Sequence, residues 1–254
     1  MLTFKSYYAW ILAAFICAPA GSIAEQFDQL QITAIYDEPT TAIGSAILKE
    51  AYQRLGVDVS ILITPSRRAL MMADTGLADG DLFRIKRVAE LFPNLVRVDH
   101  ALFHGTLQAV VRKNDEHLLA LPPERSRAVA VRRGIIISEL TAQNMGMMPV
   151  YANSNEQALS LLESKRVDVA LFTFVAQFSP LKPEELANFH IIAEPLETFD
   201  LYHYLNRRHW KLAQILPEVL KQIEDEGIKE KILERFRRRQ GAWGFGKIKD
   251  DPVH

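Results

Sequence analysis

The sequence predicts an α/β fold, a mainly parallel β-sheet covered by helices. Short stretches of alternating apolar residues take turns with segments whose apolar residues recur every three or four positions. Gly56, Gly76 and Gly227 stand where those helical segments should stop.

The first strand is expected in LQITAIY (30–36). A helix follows over 41–56, with Ile43, Ile47, Ala51 and Leu55 on one face and Gly56 ending it. VDVSILI (57–63) alternates Val57, Val59, Ile61 and Ile63, a strand pattern. PSRRALMMADTGLA then offers Ser66 as an N-cap, with Leu70, Ala73 and Leu77 sharing a face. This βαβα run implies a parallel sheet. A second set begins with AVAVRRG (128–134) and continues through a helix over 138–146 and a short strand near Val150. It closes with a helix over 154–165, a strand over 167–176 and another over 189–196. LYHYLNRRH (201–209) reads as a last strand, followed by helices over 210–225 and 228–238.

The chain has 254 residues, room for one large domain or two lobes. Thirty basic residues face 31 acidic ones, a net charge of −1, which argues against nucleic acid as a partner. The N-terminus differs from the rest. Lys5 precedes an apolar run from Ala9 to Ala18, and Ser22 and Ala24 fit a signal-peptidase site. A cleaved signal peptide over 1–24 is therefore expected, and with it export to the periplasm. Cleavage would remove Cys17, the only cysteine, leaving no disulfide and no thiol ligand.

The segment GLADGDLFRI (76–85) carries the first chemical question. As a calcium loop starting at Asp74 it would place Gly76 where an oxygen ligand is needed, so that reading fails. A phosphate loop would need more glycines and a Lys-Ser or Lys-Thr pair. What remains is a helix stop at Gly76, a turn at Asp79-Gly80, and a strand that carries Arg84 toward its carboxyl end. Open parallel sheets bind ligands there. Arg84 could take a carboxylate in a bidentate pair, or could pair with Asp81 or Glu90.

The run PSRRALMMADTGLADGDLFRI, with LFPNLVRV and AVVRKND beyond it, resembles the family 3 periplasmic solute-binding proteins. Those are the type II binding proteins that feed ABC transporters for amino acids and related solutes. SNEQALSLLESKRVDVAL is similar to the family's second helix, turn and strand, with Lys165 where glycine is usual, so that turn is expected to close differently. HYLNRRHWKLAQILPEVLKQIEDEGIKEKI resembles the segment that re-enters the first lobe.

The resemblance spans about residues 25–240 and implies the two-lobed type II fold, each lobe a mainly parallel sheet flanked by helices, with a two-strand hinge. Lobe 1 would hold 25–108 and 199–254, lobe 2 109–198, and the hinge would run near 106–111 and 197–202. It implies Arg84 as the ligand's carboxylate contact, with Arg87 as a fallback. It implies Tyr36, Asp37 and Pro39 at the cleft edge, where Tyr36 could stack on the ligand or simply pack. Ser138, in the turn RRGIIISE, could offer backbone N–H groups to an anion or serve as a plain N-cap. The family's acidic residue for the α-ammonium falls at Thr173, which carries no charge. An ordinary α-amino acid is therefore not the expected ligand.

Catalytic and metal readings fare worse. His100 and His104 would share a face only on a helix, and strand and loop are expected there. Ser66 and Ser138 lack a nucleophile-elbow context, and Asp79 and Asp81 make a poor hydrolytic pair. The basic run RFRRRQ (235–240) suits a solvated helix end. The expectation is a monomeric, non-enzymatic binding protein without cofactor or metal. It would capture a small polar or anionic, carboxylate-bearing molecule for an ABC permease. The alternative is a stand-alone sensory protein that signals to a membrane partner. Replacing Arg84 by alanine is expected to abolish binding with little loss of stability.

Overall fold

The computed structural model describes residues 29–36, 39–113, 115, 117, 127–182 and 184–241. The expected leader, Asp37 and the tail beyond 241 lie outside these residues.

Among the described residues nine strands form one continuous sheet. They are β1 (Gln29–Ala34), β2 (Asp58–Ile63), β3 (Gly80–Ile85), β4 (Leu95–Arg112), β5 (Ala128–Arg132), β6 (Met148–Ala152), β7 (Val169–Val175), β8 (Phe189–Ile191) and β9 (Glu197–Asn206). The order is β2-β1-β3-β9-β4-β7-β5-β6, with β8 added on β4. At one end β1, β2 and β3 are parallel, and at the other β5, β6 and β7 are parallel. Between them β4 and β9 run antiparallel to each other from Leu95 opposite Asn206 to Leu107 opposite Glu197. These two long strands tie the halves together.

Each half has its own core, because its strands alternate apolar residues onto both faces and helices must cover both. In the first half, α1 (Thr40–Arg54), α6 (Trp210–Asp225) and α7 (Ile228–Gly241) cover one face. The periodicity shows why: α6 buries Leu212, Ala213, Leu216, Val219, Leu220 and Ile223, a single stripe. The other face is covered by α2 (Ser66–Thr75), through Leu70 and Ala73, and by α3 (Val88–Leu91), through Val88. In the second half, α4 (Ile136–Asn144) packs Ala142 on one face. There α5 (Asn155–Glu163) packs Ala158, Leu159 and Leu162 on the other. The start of α5 is capped from the sequence SNEQ. The Ser154 hydroxyl accepts the Gln157 N–H at 3.2 Å, and the Gln157 side chain accepts the Asn153 N–H at 2.7 Å.

Several expectations are corrected. Ser66 is the first residue of α2, not its cap. The helix read from Ser138 begins at Ile136, which leaves Ser138 buried in the first turn. The strand read over 189–196 is only β8, and 207–209 form a 3-10 turn after β9. The turn at Lys165 closes in the usual way. Lys165 N–H reaches Leu162 O at 3.2 Å and Arg166 N–H reaches Leu161 O at 3.0 Å, while Lys165 takes the left-handed φ of 58° that glycine would adopt freely.

Candidate functional site

The carboxyl ends of strands from the two halves face each other across a cleft of about 780 Å³. Ile35 and Tyr36 follow β1, and Ile63 ends β2 with Thr64 to Arg67 after it. From the second half come Arg132, which ends β5, then Arg133 to Ile135, and Asn153 to Glu156, after β6. This is where open α/β sheets leave space for a ligand, because the strands stop and the helices turn away.

The halves touch at the floor of this cleft. The Ser66 hydroxyl donates to the Gly134 carbonyl at 2.7 Å and accepts from Arg84 Nη1 at 2.8 Å. Arg84 also forks onto Asp81, Nε to Oδ1 at 2.8 Å and Nη2 to Oδ2 at 2.9 Å. Both partners are buried, Asp81 to 1% exposure and Arg84 to 6%. Three of the five N–H groups of the guanidinium are thus engaged and its charge is matched inside the protein.

A β-bulge makes the pairing possible. From Asp81 to Arg84 is three residues, yet the opposing strand advances only two, from Tyr204 to Tyr202. On a regular strand residues three apart point to opposite faces; the extra residue brings them to the same one. His203 helps hold this stretch. Its Nδ1 donates to the Asp81 carbonyl at 2.8 Å, and its Nε2 accepts from Tyr52 Oη at 2.8 Å. Burial holds the His203 pKa down to about 4, so the ring is neutral.

Arg84 faces a small inner chamber of about 50 Å³, lined chiefly by Ile35, Phe83, Val88, Ile136, Val175 and Leu201. Thr173 lines the same chamber, beside β4. Tyr36 stands 70% exposed at the cleft wall, and its carbonyl accepts from Arg132 Nη2. Pro39 directly precedes α1. Arg87 is elsewhere. It is exposed, 3.7 Å from Glu90, and lines a separate crevice of about 950 Å³ beside β4 and β9. Ser138 lines neither the cleft nor the chamber. Of the five residues singled out from sequence, the fold brings Arg84 and Thr173 together and sets Tyr36 at the outer wall.

The sequence reading passed over the cations of the cleft. Arg67, Arg132, Arg133 and Lys182 all line it. Arg67 is 76% exposed with Glu139 3.3 Å away, and Arg133 lies over the Tyr151 ring at 4.9 Å. Glu156 is the one acid lining the cleft among the described residues. Its own backbone N–H, then the Ser154 hydroxyl, hold its carboxyl below the ordinary value, so it is ionised and already satisfied at the start of α5. A legible signal existed: Arg67-Arg68 falls just past the strand read over 57–63, and Arg132-Arg133 lies at the end of the strand read over 128–134.

No protein-family profile matches the chain. An uncharacterized protein of Shewanella oneidensis is 24% identical over 243 residues, covering 89% of this chain and 88% of that one. Among solved structures, the GluR0 ligand-binding core of Nostoc punctiforme in complex with L-glutamate superposes with a TM-score of 0.68 at 14% identity. That match covers 82% of this chain and 98% of the core. The amino-acid ABC transporter substrate-binding protein AbpA of Streptococcus pneumoniae, bound to L-arginine, superposes at 0.64 with 14% identity. It covers 82% of this chain and 94% of that protein. The chain therefore carries the two-lobed type II periplasmic-binding-protein fold that the sequence resemblance implied.

Proposed function

We propose that this chain is a solute-binding protein without catalytic activity, which captures a small polar or anionic molecule between its lobes. One observation carries the reading: a cleft of about 780 Å³ at the carboxyl ends of both sets of strands, with Arg67, Arg132, Arg133 and Lys182 on its walls. The fold supports it, since the neighbours described above are binding proteins or ligand-binding cores. We assign 25–108 with 199–254 to lobe 1 and 109–198 to lobe 2, with β4 and β9 as the hinge. The leader over 1–24 would export a monomer to the periplasm, where the loaded form meets an ABC permease. Ser66 and Gly134 form the floor of the site, with Arg84 beneath them, and Tyr36 its rim, while Arg67 and the cations of lobe 2 make the anionic contacts.

The GluR0 cores, described as ligand-binding cores and not as transporter components, favour a second reading: a binding module that signals to a membrane partner. Native mass spectrometry of the protein as isolated from its host tests the shared claim. A small-molecule adduct lost on unfolding is expected. A bare mass, with no thermal shift across a panel of solutes, would remove both readings.

A further inference from the structure

We infer that the molecule held in the cleft is an elongated dianion, with one acidic group against Arg67 and the other against Arg132, Arg133 and Lys182. The inference rests on the solute-binding reading above and names its ligand class. The inner chamber has no room for the body of a ligand. Its roughly 50 Å³ is the space of one or two waters, and its walls are chiefly apolar. The one cation facing that chamber, Arg84, is already matched by Asp81. A ligand must therefore sit in the outer cleft.

There the cations stand on both walls. Arg67 belongs to the start of α2 in the first half; Arg132, Arg133 and Lys182 belong to the second. Arg67 already pairs across the gap with Glu139 of α4 at 3.3 Å, an exposed and therefore weak contact that an acidic group of a ligand can replace, while Arg132, Arg133 and Lys182 gather positive charge on the opposite wall. One acidic group can meet one wall. Two, held apart, meet both, and supply the contacts to each lobe that closure needs. The first turn of α2 adds to this, because it has no side-chain cap and opens on the same cleft. Zwitterionic amino acids fit poorly. Their ammonium would enter a cationic site whose one described lining acid, Glu156, is held by Ser154 and its own backbone.

Calorimetry on the exported chain tests this with matched probes. Adipate is compared with its monomethyl ester and with 6-aminohexanoate, and fructose 1,6-bisphosphate with fructose 6-phosphate; the two arms separate carboxylate from phosphate ligands. The two-acid probe of one arm is expected to bind about tenfold or more tighter than its one-acid counterpart, the scale of one charge-assisted contact. Arg67→Gln and Lys182→Gln, both at exposed positions, should each remove that preference without lowering the melting temperature. Equal affinity for one-acid and two-acid probes, tighter binding of 6-aminohexanoate, or variants that keep the preference would overturn the inference and leave solute binding intact. If no probe binds, the molecule extracted from the isolated protein decides: two acidic groups support the inference and fewer overturn it. A protein that binds no probe and carries no molecule overturns the underlying reading as well.

Discussion

Replacing Gly134 by alanine should hold the lobes apart. Gly134 has φ near 80°, and a Cβ built there would lie 2.5 Å from Ser66 Cβ and 2.9 Å from Ser66 Oγ. Two penalties are involved and they act differently. The left-handed backbone costs about 1–2 kcal/mol for any residue with a Cβ, but open and closed forms bear it alike. The clash exists only where the two halves touch. Overpacking of this kind costs about 1–3 kcal/mol, which shifts the closed population, and ligand affinity with it, by about 5- to 150-fold. Spin labels at Met71→Cys and Met148→Cys would report it. Both methionines are exposed, one on each half beside a common crevice, and Cys17 is the only native cysteine. The short-distance population should fall in Gly134→Ala. It should return in part when Ser66→Gly is added, because the facing Cβ is gone although the hydroxyl's bond to the Gly134 carbonyl goes with it. A distance distribution unchanged by Gly134→Ala would refute the claim that Ser66 and Gly134 form the closing contact.

Three more outcomes follow from the same geometry. Arg84→Ala leaves the Asp81 carboxylate buried and unpaired, a cost of about 3–5 kcal/mol. The melting temperature should therefore drop by about 10 °C, against the small change expected from sequence; scanning calorimetry checks this. Lys165→Gly relieves the left-handed backbone and should stabilise by about 1 kcal/mol in urea unfolding, whereas Lys165→Ala should change little. His203 binds a proton less readily folded, at about 4, than unfolded, at about 6.5. Its contribution is thus complete above pH 6.5 and is lost as pH falls from 6.5 toward 4, about 3 kcal/mol in all. In His203→Gln, the gap between urea midpoints at pH 7.5 and 4.5 should narrow.

Much of the architecture was legible because it rests on local patterns. Ile43, Ile47 and Ala51 repeat at helical spacing, and all three are buried on α1. The breaks at Gly56 and Gly227 appear as residues with φ of 71° and 68°, a conformation that glycine reaches without strain. The Lys165 turn was misread because residue preference was taken as a requirement. Lysine accepts the left-handed state at a cost of about 1–2 kcal/mol, which the hydrogen bonds at the end of α5 offset. The candidate site was less legible. Ser66, Arg84 and Gly134 lie on three separate elements or turns, and spacing says nothing of their meeting.

By itself the chain order determined the alternation of strands and helices, the position of Arg84 at the end of β3, and the missing charge at Thr173. Each follows from side-chain periodicity or from the identity of a single residue. Tertiary structure alone decided that Arg84 turns inward to Asp81 and that the cleft takes its charge from Arg67, Arg132, Arg133 and Lys182. The physical reason is the extra residue in β3: one bulge reverses which face a side chain occupies, and it forms only because β9 pairs alongside, more than 110 residues later in the chain.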